Sequence, residues 1–287
     1  MPHVAQERYS KLVDKKLRAT LVTKDNLIFN TSYEGSPTGG KVKIPVRDTE
    51  VAVGDYDKAK GMELGTGSTT YIDLDLNHDK AVNEIIDNYD AASVPDGIVA
   101  ERLDSAGYSL AQVIDAVSIE TLEKEGTSEE ASAPTKSNIY DSVVDLRTKL
   151  SEKNVPTEGR WLLVSPQIYA LLLKDTTNFI RQGNLSQELI ENGAVGKIAG
   201  FTVFECSRLA VAKEGQVEGK LSTTNMIAGH PNWCHRVEEW SVPVAIKGLT
   251  NNYIGASAVQ GRKVFGAKVS KKDAVIVHRT TSEAAAE

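Results

Sequence analysis

The residues of this chain best suited to chemistry are Cys206, His230, Cys234 and His235, because thiolate and imidazole ligate zinc and a cysteine beside a base is a nucleophile. Spacing argues against both uses. Cys234 and His235 are adjacent, no Cys-x-x-Cys pair exists, and Cys206 lies about 28 residues upstream, so packing and turn roles are expected and no metal is. A Cys–His nucleophile would pair Cys234 with His230 or His278 and needs a third, orienting group that no pattern supplies. Gly61-Met-Glu-Leu-Gly65-Thr-Gly67 and Gly193-Ala-Val-Gly196-Lys-Ile-Ala-Gly200 are rich in glycine, yet neither has the strand, glycine loop and helix order that cradles phosphate. Ser165 lacks the glycines of a nucleophile elbow, and Ser165-Pro166 reads instead as a helix cap followed by proline at the first helical position. The acidic run Asp73, Asp75, Asp79, Glu84, Asp87, Asp90 suits a solvated, alternating face better than a carboxylate metal site. No catalytic constellation and no cofactor are expected.

The elements that would position these residues are of mixed type. Residues 1–30 are polar and mildly basic, and a cluster of turn-formers from Thr31 to Gly40 follows, which reads as an arm and a hinge. Val42, Ile44 and Val46 alternate with polar partners, as do Ile72, Leu74 and Leu76, so two strands are predicted with about 20 residues between them. That interval is too long for a tight turn. Such an excursion, with little apolar material to bury against its own domain, must be mobile or supported by a neighbouring molecule. Val99, Leu103, Ala106, Leu110, Val113, Val117 and Thr121 recur at steps of four and three and predict one long helix over 95–122. Ile139, Val143, Leu146 and Leu150 predict a second, with Ser137 or Asn138 as its cap.

Beyond these, Trp161-Leu-Leu-Val164 is a buried-strand candidate leading into a helix through Leu173, and a short helix is expected over 185–192. Strands are expected over 200–205, 226–228, 242–246, 263–269 and 274–277. The mixture lacks a regular βαβ repeat, which makes the class α+β.

Composition agrees with a globular chain: 40% of the 287 residues are hydrophobic and 25% charged. The net charge of −6 is wrong for a protein whose main task is to coat nucleic acid. Two cysteines are too few for a disulfide framework and suit a reducing compartment, while no apolar run approaches a signal peptide or a membrane span.

The order of parts resembles a known family. A polar arm, an excursion over 41–76, a spine helix, a shorter helix, and then Gly159-Arg160-Trp-Leu-Leu-Val-Ser165-Pro166-Gln-Ile-Tyr-Ala-Leu-Leu-Leu-Lys174-Asp175 look like a major capsid protein of tailed double-stranded DNA bacteriophages. Gly193 to Glu205 is similar to that family's axial-domain stretch of glycine and strand, and Lys263-Val-Phe-Gly266-Ala-Lys-Val269 to its returning peripheral strand. The resemblance implies the Hong Kong 97-like capsid fold. It divides the chain into an arm and hinge (1–40), an extended loop (41–76), a peripheral domain (77–160 and 255–278), an axial domain (161–254) and a tail (279–287).

It also implies a non-enzymatic subunit that self-assembles through hexamers and pentamers into an icosahedral shell around DNA, without sequence-specific contacts and without a membrane. The virion is then its location and the bacterial cytoplasm its place of assembly. Contacts between subunits are expected from Glu50, Asp55, Asp57, Lys58, Lys60 and Glu63 in the loop, and from Arg8, Lys11, Lys15, Lys16 and Arg18 in the arm. A separate scaffolding protein and a portal would be further partners. A crosslink through Lys58 or Lys60 is not predicted. An encapsulin-like nanocompartment and a soluble hydrolase using Cys234 are the alternatives.

Overall fold

Among the described residues the strands form three sheets, and helices cover the two faces of the largest. The computed structural model describes residues 18–23, 27–33, 40–46, 51, 53–62, 69–89, 98–174, 180–181, 194–210, 213–214, 220–250 and 253–283. The largest sheet has eight strands: β4 (Thr127–Glu130), β5 (Trp161–Val164), β6 (Ile180–Arg181), β7 (Ala194–Ile198), β8 (Phe201–Glu205), β9 (Lys213–Glu214), β10 (Lys220–Gly229) and β13 (Val275–Glu283). Its order is β4-β13-β10-β5-β8-β7-β6, with β9 beside β10. All four residues of β5 are buried, as expected of a strand covered on both faces. Leu162 and Val164 face α2 (Ile139–Glu152) and α3 (Pro166–Lys174), packing with Val143, Leu146, Ile168 and Leu172. Trp161 and Leu163 face the other way, toward Ile119 and Leu122 of α1 (Ile98–Glu125) and toward Val22, Ile28 and Phe29.

A three-stranded antiparallel sheet in the order β11 (Cys234–Gly248), β12 (Ala256–Val269) and β3 (His78–Asp87) packs on α1. A separate antiparallel ribbon pairs β1 (Lys41–Val46) with β2 (Thr70–Asp75), Lys41 opposite Asp75 and Val46 opposite Thr70.

Several expectations are corrected. The long helix runs three residues past Leu122 and stops at Gly126, whose added Cβ would meet Leu122 O at 2.8 Å and Val277 Cγ2 at 2.9 Å. Its buried arc is Ala106, Leu110, Ile114, Asp115, Ser118, Ile119, Leu122 and Glu123, while Val113 is exposed. That arc is wider than a single stripe because α1 is covered by both sheets and by the segment around Val22. β4 and β13 belong to the large sheet, α2 packs on it, and β11 pairs along nearly its whole length with β12 in the other sheet. Residues 279–283, expected as tail, continue β13 opposite β10. The segment around Ile28 and Phe29, within the expected arm and hinge, lies in the core with both side chains wholly buried.

The stretch from Gly193 to Gly200 is a hairpin arm in its described part: Ile198 pairs with Phe201 across Ala199 and Gly200, both at positive φ (46° and 85°), the geometry a two-residue hairpin requires. The helix expected over 185–192 lies outside the described residues, as does Pro95.

Candidate assembly surfaces

The β1–β2 ribbon is anchored at its base. Ile44, Val46, Leu74 and Leu76 point inward and form a cluster with Val237, packed also by Tyr33, Val42 and Ile72. Leu76 N donates to Gly40 O at 3.1 Å, and Lys41 Nζ lies 3.2 Å from Asp75 Oδ1 on the outer side. Gly266 of β12 allows this crossing: a Cβ there would sit 2.3 Å from Asp75 O, so the ribbon backbone rests directly on the sheet. The base therefore has its own support, contrary to the expectation that the whole excursion lacks apolar material to bury.

Farther out the support ends. Val51 and Val53 are 89% and 96% exposed, Tyr56 is 73% exposed, and Met62 is half-exposed, its Cε 3.0 Å from where a Cβ on Gly54 would sit. The tip is a small closed turn in which Gly61 N donates to Asp57 O at 2.8 Å and Ala59 N to Asp57 Oδ1 at 2.7 Å. Among the expected contact residues, Asp55, Asp57, Lys58 and Lys60 are exposed on this outer segment, with the Asp57 carboxylate engaged in the turn. Glu50 and Glu63 lie outside the described residues, as do Arg8, Lys11, Lys15 and Lys16. Arg18 is engaged within its own chain, ion-paired with Asp104 at 2.5 Å and placed over the Tyr108 ring at 4.8 Å.

A second exposed apolar group lies at the far end of the three-stranded sheet. Tyr89, Tyr253 and Ile254 are exposed there, close to the hydrogen bond from Asn88 N to Gly255 O, with Ile85 and Ile246 on the strands behind them. Charge-based reasoning missed both apolar groups. The pair Val51 and Val53, set among acidic residues, was the available signal.

The candidate chemical residues are held in structural roles. Cys206 and Cys234 are buried, and burial pushes the Cys206 thiol up to about 11 and Cys234 further in the same direction, which keeps both protonated. His230 bonds Glu158 O through Nε2 at 2.8 Å and accepts from Asn232 N through Nδ1. His235 Nε2 sits 3.1 Å from Ser270 Oγ, and burial pushes its pKa down to about 4. Among the described residues no three His, Cys, Asp or Glu are grouped to hold a metal. Ser165 Oγ accepts from Ile168 N at 3.4 Å, the capping role expected of it. The acidic run forms exposed ion pairs, Asp79 with Arg262 and Glu84 with Arg102, or local turns such as Asp87 with Tyr89 N. Among the described residues no helix is long and apolar enough to cross a membrane.

A helical spine, two sheets and a projecting ribbon with an apolar, unsupported outer half define a subunit built to meet other subunits. Phage capsid protein is the family whose sequence pattern matches residues 82–278, more than two thirds of the chain. The chain belongs to that family, as a structural component of a virion shell made of many copies. Its fold is the Hong Kong 97-like capsid fold. The structure is similar to that of Mycobacterium phage Che8, at 21% identity over 96% of each chain with a TM-score of 0.72. It is also similar to the capsid of the cyanophage P-SCSP1u, at 14% identity over 96% of this chain and 92% of the other, TM-score 0.74. The capsid of an empty GTA particle matches at 13% identity over 96% and 95%, TM-score 0.66. No curated protein matches the sequence.

Proposed function

We propose that this chain is the major capsid subunit that closes, through hexamers and pentamers, into an icosahedral shell around double-stranded DNA. The observation that carries this reading is the outer excursion: Val51, Val53 and Tyr56 stand in solvent on a ribbon whose base is rigidly packed. Leaving such side chains in water costs free energy that burial would recover, and a copy of the same subunit is the partner always present in a shell. Many modest contacts per subunit then add through multivalency, so no single interface needs great strength. In this reading the excursion lies on a neighbouring subunit, with Asp55, Asp57, Lys58 and Lys60 flanking the apolar contact and Glu50 and Glu63 beside them. Arg8, Lys11, Lys15 and Lys16 are contacts of the arm. The acidic body holds DNA without gripping its phosphates. A scaffolding protein and a portal are its further partners, and the host cytoplasm is where it assembles. Family membership favours this over an encapsulin-like compartment, and the buried, protonated Cys234 disfavours a thiol hydrolase.

Electron microscopy of the expressed chain tests the proposal. The full chain should give closed shells or capsomers, and a chain lacking residues 48–70 should stay folded by circular dichroism but form neither. Monomers of the full chain across protein and salt concentration would overturn the reading.

A further inference from the structure

We infer that residues 18–23 and 27–33 form a strap that couples the set of the β1–β2 ribbon to the spine helix α1, locked by Thr23, Asp115 and Arg236. The strap begins on the outer half of α1, where Arg18 meets Asp104 and the Tyr108 hydroxyl donates to Ala19 O at 3.0 Å. About two turns beyond Tyr108 along the helix, Thr23 N and Thr23 Oγ1 both donate to Asp115 Oδ1, at 2.9 and 2.8 Å. Arg236 Nη1, from β11, donates to Thr23 O at 2.6 Å and to Thr23 Oγ1 at 3.2 Å.

The hydroxyl thus has both roles assigned: its proton goes to the carboxylate and its lone pair takes the guanidinium. Asp115, Thr23 and Arg236 are all buried, and Arg208 Nε approaches Asp115 Oδ2 to 3.3 Å from the large-sheet side. Farther along, Asn30 pairs with β11 through Asn30 N to Cys234 O at 2.7 Å and Arg236 N to Asn30 O at 3.1 Å. Tyr33 stands edge-on to His235 at 5.1 Å and packs into the cluster beneath the ribbon.

One short stretch of chain therefore touches α1, β11 and the ribbon base in sequence. Ile28 and Phe29 supply its greasy grip, which alone would tolerate sliding, whereas the charged lock has one satisfied geometry: moving Thr23 leaves a buried carboxylate and a buried guanidinium short of partners. A shift of the ribbon relative to β11 disturbs Tyr33 in the cluster beneath it and, through the pairing of Asn30 with β11, the strap that carries Thr23. Asp115 and Arg236 act as positioning residues for an element that reaches another subunit. The coupling lies within one subunit and stands whether or not the shell reading holds.

Hydrogen exchange on the full-length chain, compared in one assembly state, tests this. Thr23→Val removes the hydroxyl and keeps the shape. Amides of residues 40–46 and 70–76 should then exchange about tenfold faster, with α2 and β5 unchanged, and Thr23→Ser should restore protection. Faster exchange confined to 18–33, or a uniform rise that includes α2 and β5, overturns the coupling. If Thr23→Val does not fold, Asp115→Asn, which keeps Oδ1 as acceptor and removes only the charge, carries the same comparison with the same overturning results.

Discussion

Strand β5 and the outer excursion use similar residues in opposite ways. Trp161, Leu162, Leu163 and Val164 are sealed between α2 and α3 on one face and α1 with the strap on the other. Val51, Val53, Tyr56 and Met62 are just as apolar and stand in water. What separates them is the number of elements that can reach them. A central strand of an eight-stranded sheet has two faces to cover and two layers that cover them. A two-stranded ribbon beyond its base has neither, and such a ribbon is at best marginal alone. The exposed group at the far end of the three-stranded sheet repeats the pattern. The chain therefore concentrates stability in its middle and keeps uncovered apolar surface at its projections, an arrangement suited to a subunit of a shell.

Three measurements sharpen or break this contrast, beginning with the largest effect. Leu163→Ala should cost about 2–5 kcal/mol in chemical denaturation, by lost burial and a residual cavity, since Leu163 has no exposed surface. Shell formation under conditions where the variant is folded should be unaltered. A cost near zero would mean that the middle is not where the stability lies.

The next effect is acid sensitivity. Burial holds His235 near 4, and His230 and His278 are shifted down for the same reason. The unfolded chain binds more protons than the folded one between the unfolded histidine value of about 6.5 and the depressed folded value, so stability falls as pH drops through that window. His235 alone should account for up to about 3 kcal/mol of that loss by pH 4. His235→Phe keeps a ring against Tyr33 and should flatten the acid limb of a stability-versus-pH curve, and an unchanged limb would refute the assignment.

The smallest effect on stability is expected at the projection. Val53→Ser should change the unfolding free energy by less than about 0.5 kcal/mol, as a surface substitution does, yet raise the concentration needed for assembly several-fold in a light-scattering titration. A stability loss like that of Leu163→Ala would place Val53 in a core and erase the distinction.

Much of the middle was legible before any fold was known. The period of the apolar residues in 98–125, 139–152 and 161–174 is local, so a reading of neighbours along the chain finds those helices and the strand β5. The surfaces were less legible. Charges drew attention to Asp55, Lys58 and Lys60, while Val51 and Val53 in the same interval drew none, because whether a valine is covered depends on residues far away in sequence. Asp115 was hidden in another way: a carboxylate among the apolar residues of a helix reads as its solvated side until Thr23 and Arg208 are seen to come from elements 92 and 93 residues away to meet it.

The order of residues alone determined the α+β class, the spine helix, the alternating ribbon strands and the lack of a local chemical motif, since each depends on side-chain periodicity within a few turns or pleats. Only the tertiary structure decided that β11 pairs with β12 outside the large sheet, that residues around Phe29 are buried in the core, and that Val51, Val53 and Tyr56 of the outer ribbon remain bare. Those outcomes depend on pairing and coverage between distant segments, and burial is a property of the space around a side chain, which its neighbours in sequence do not specify.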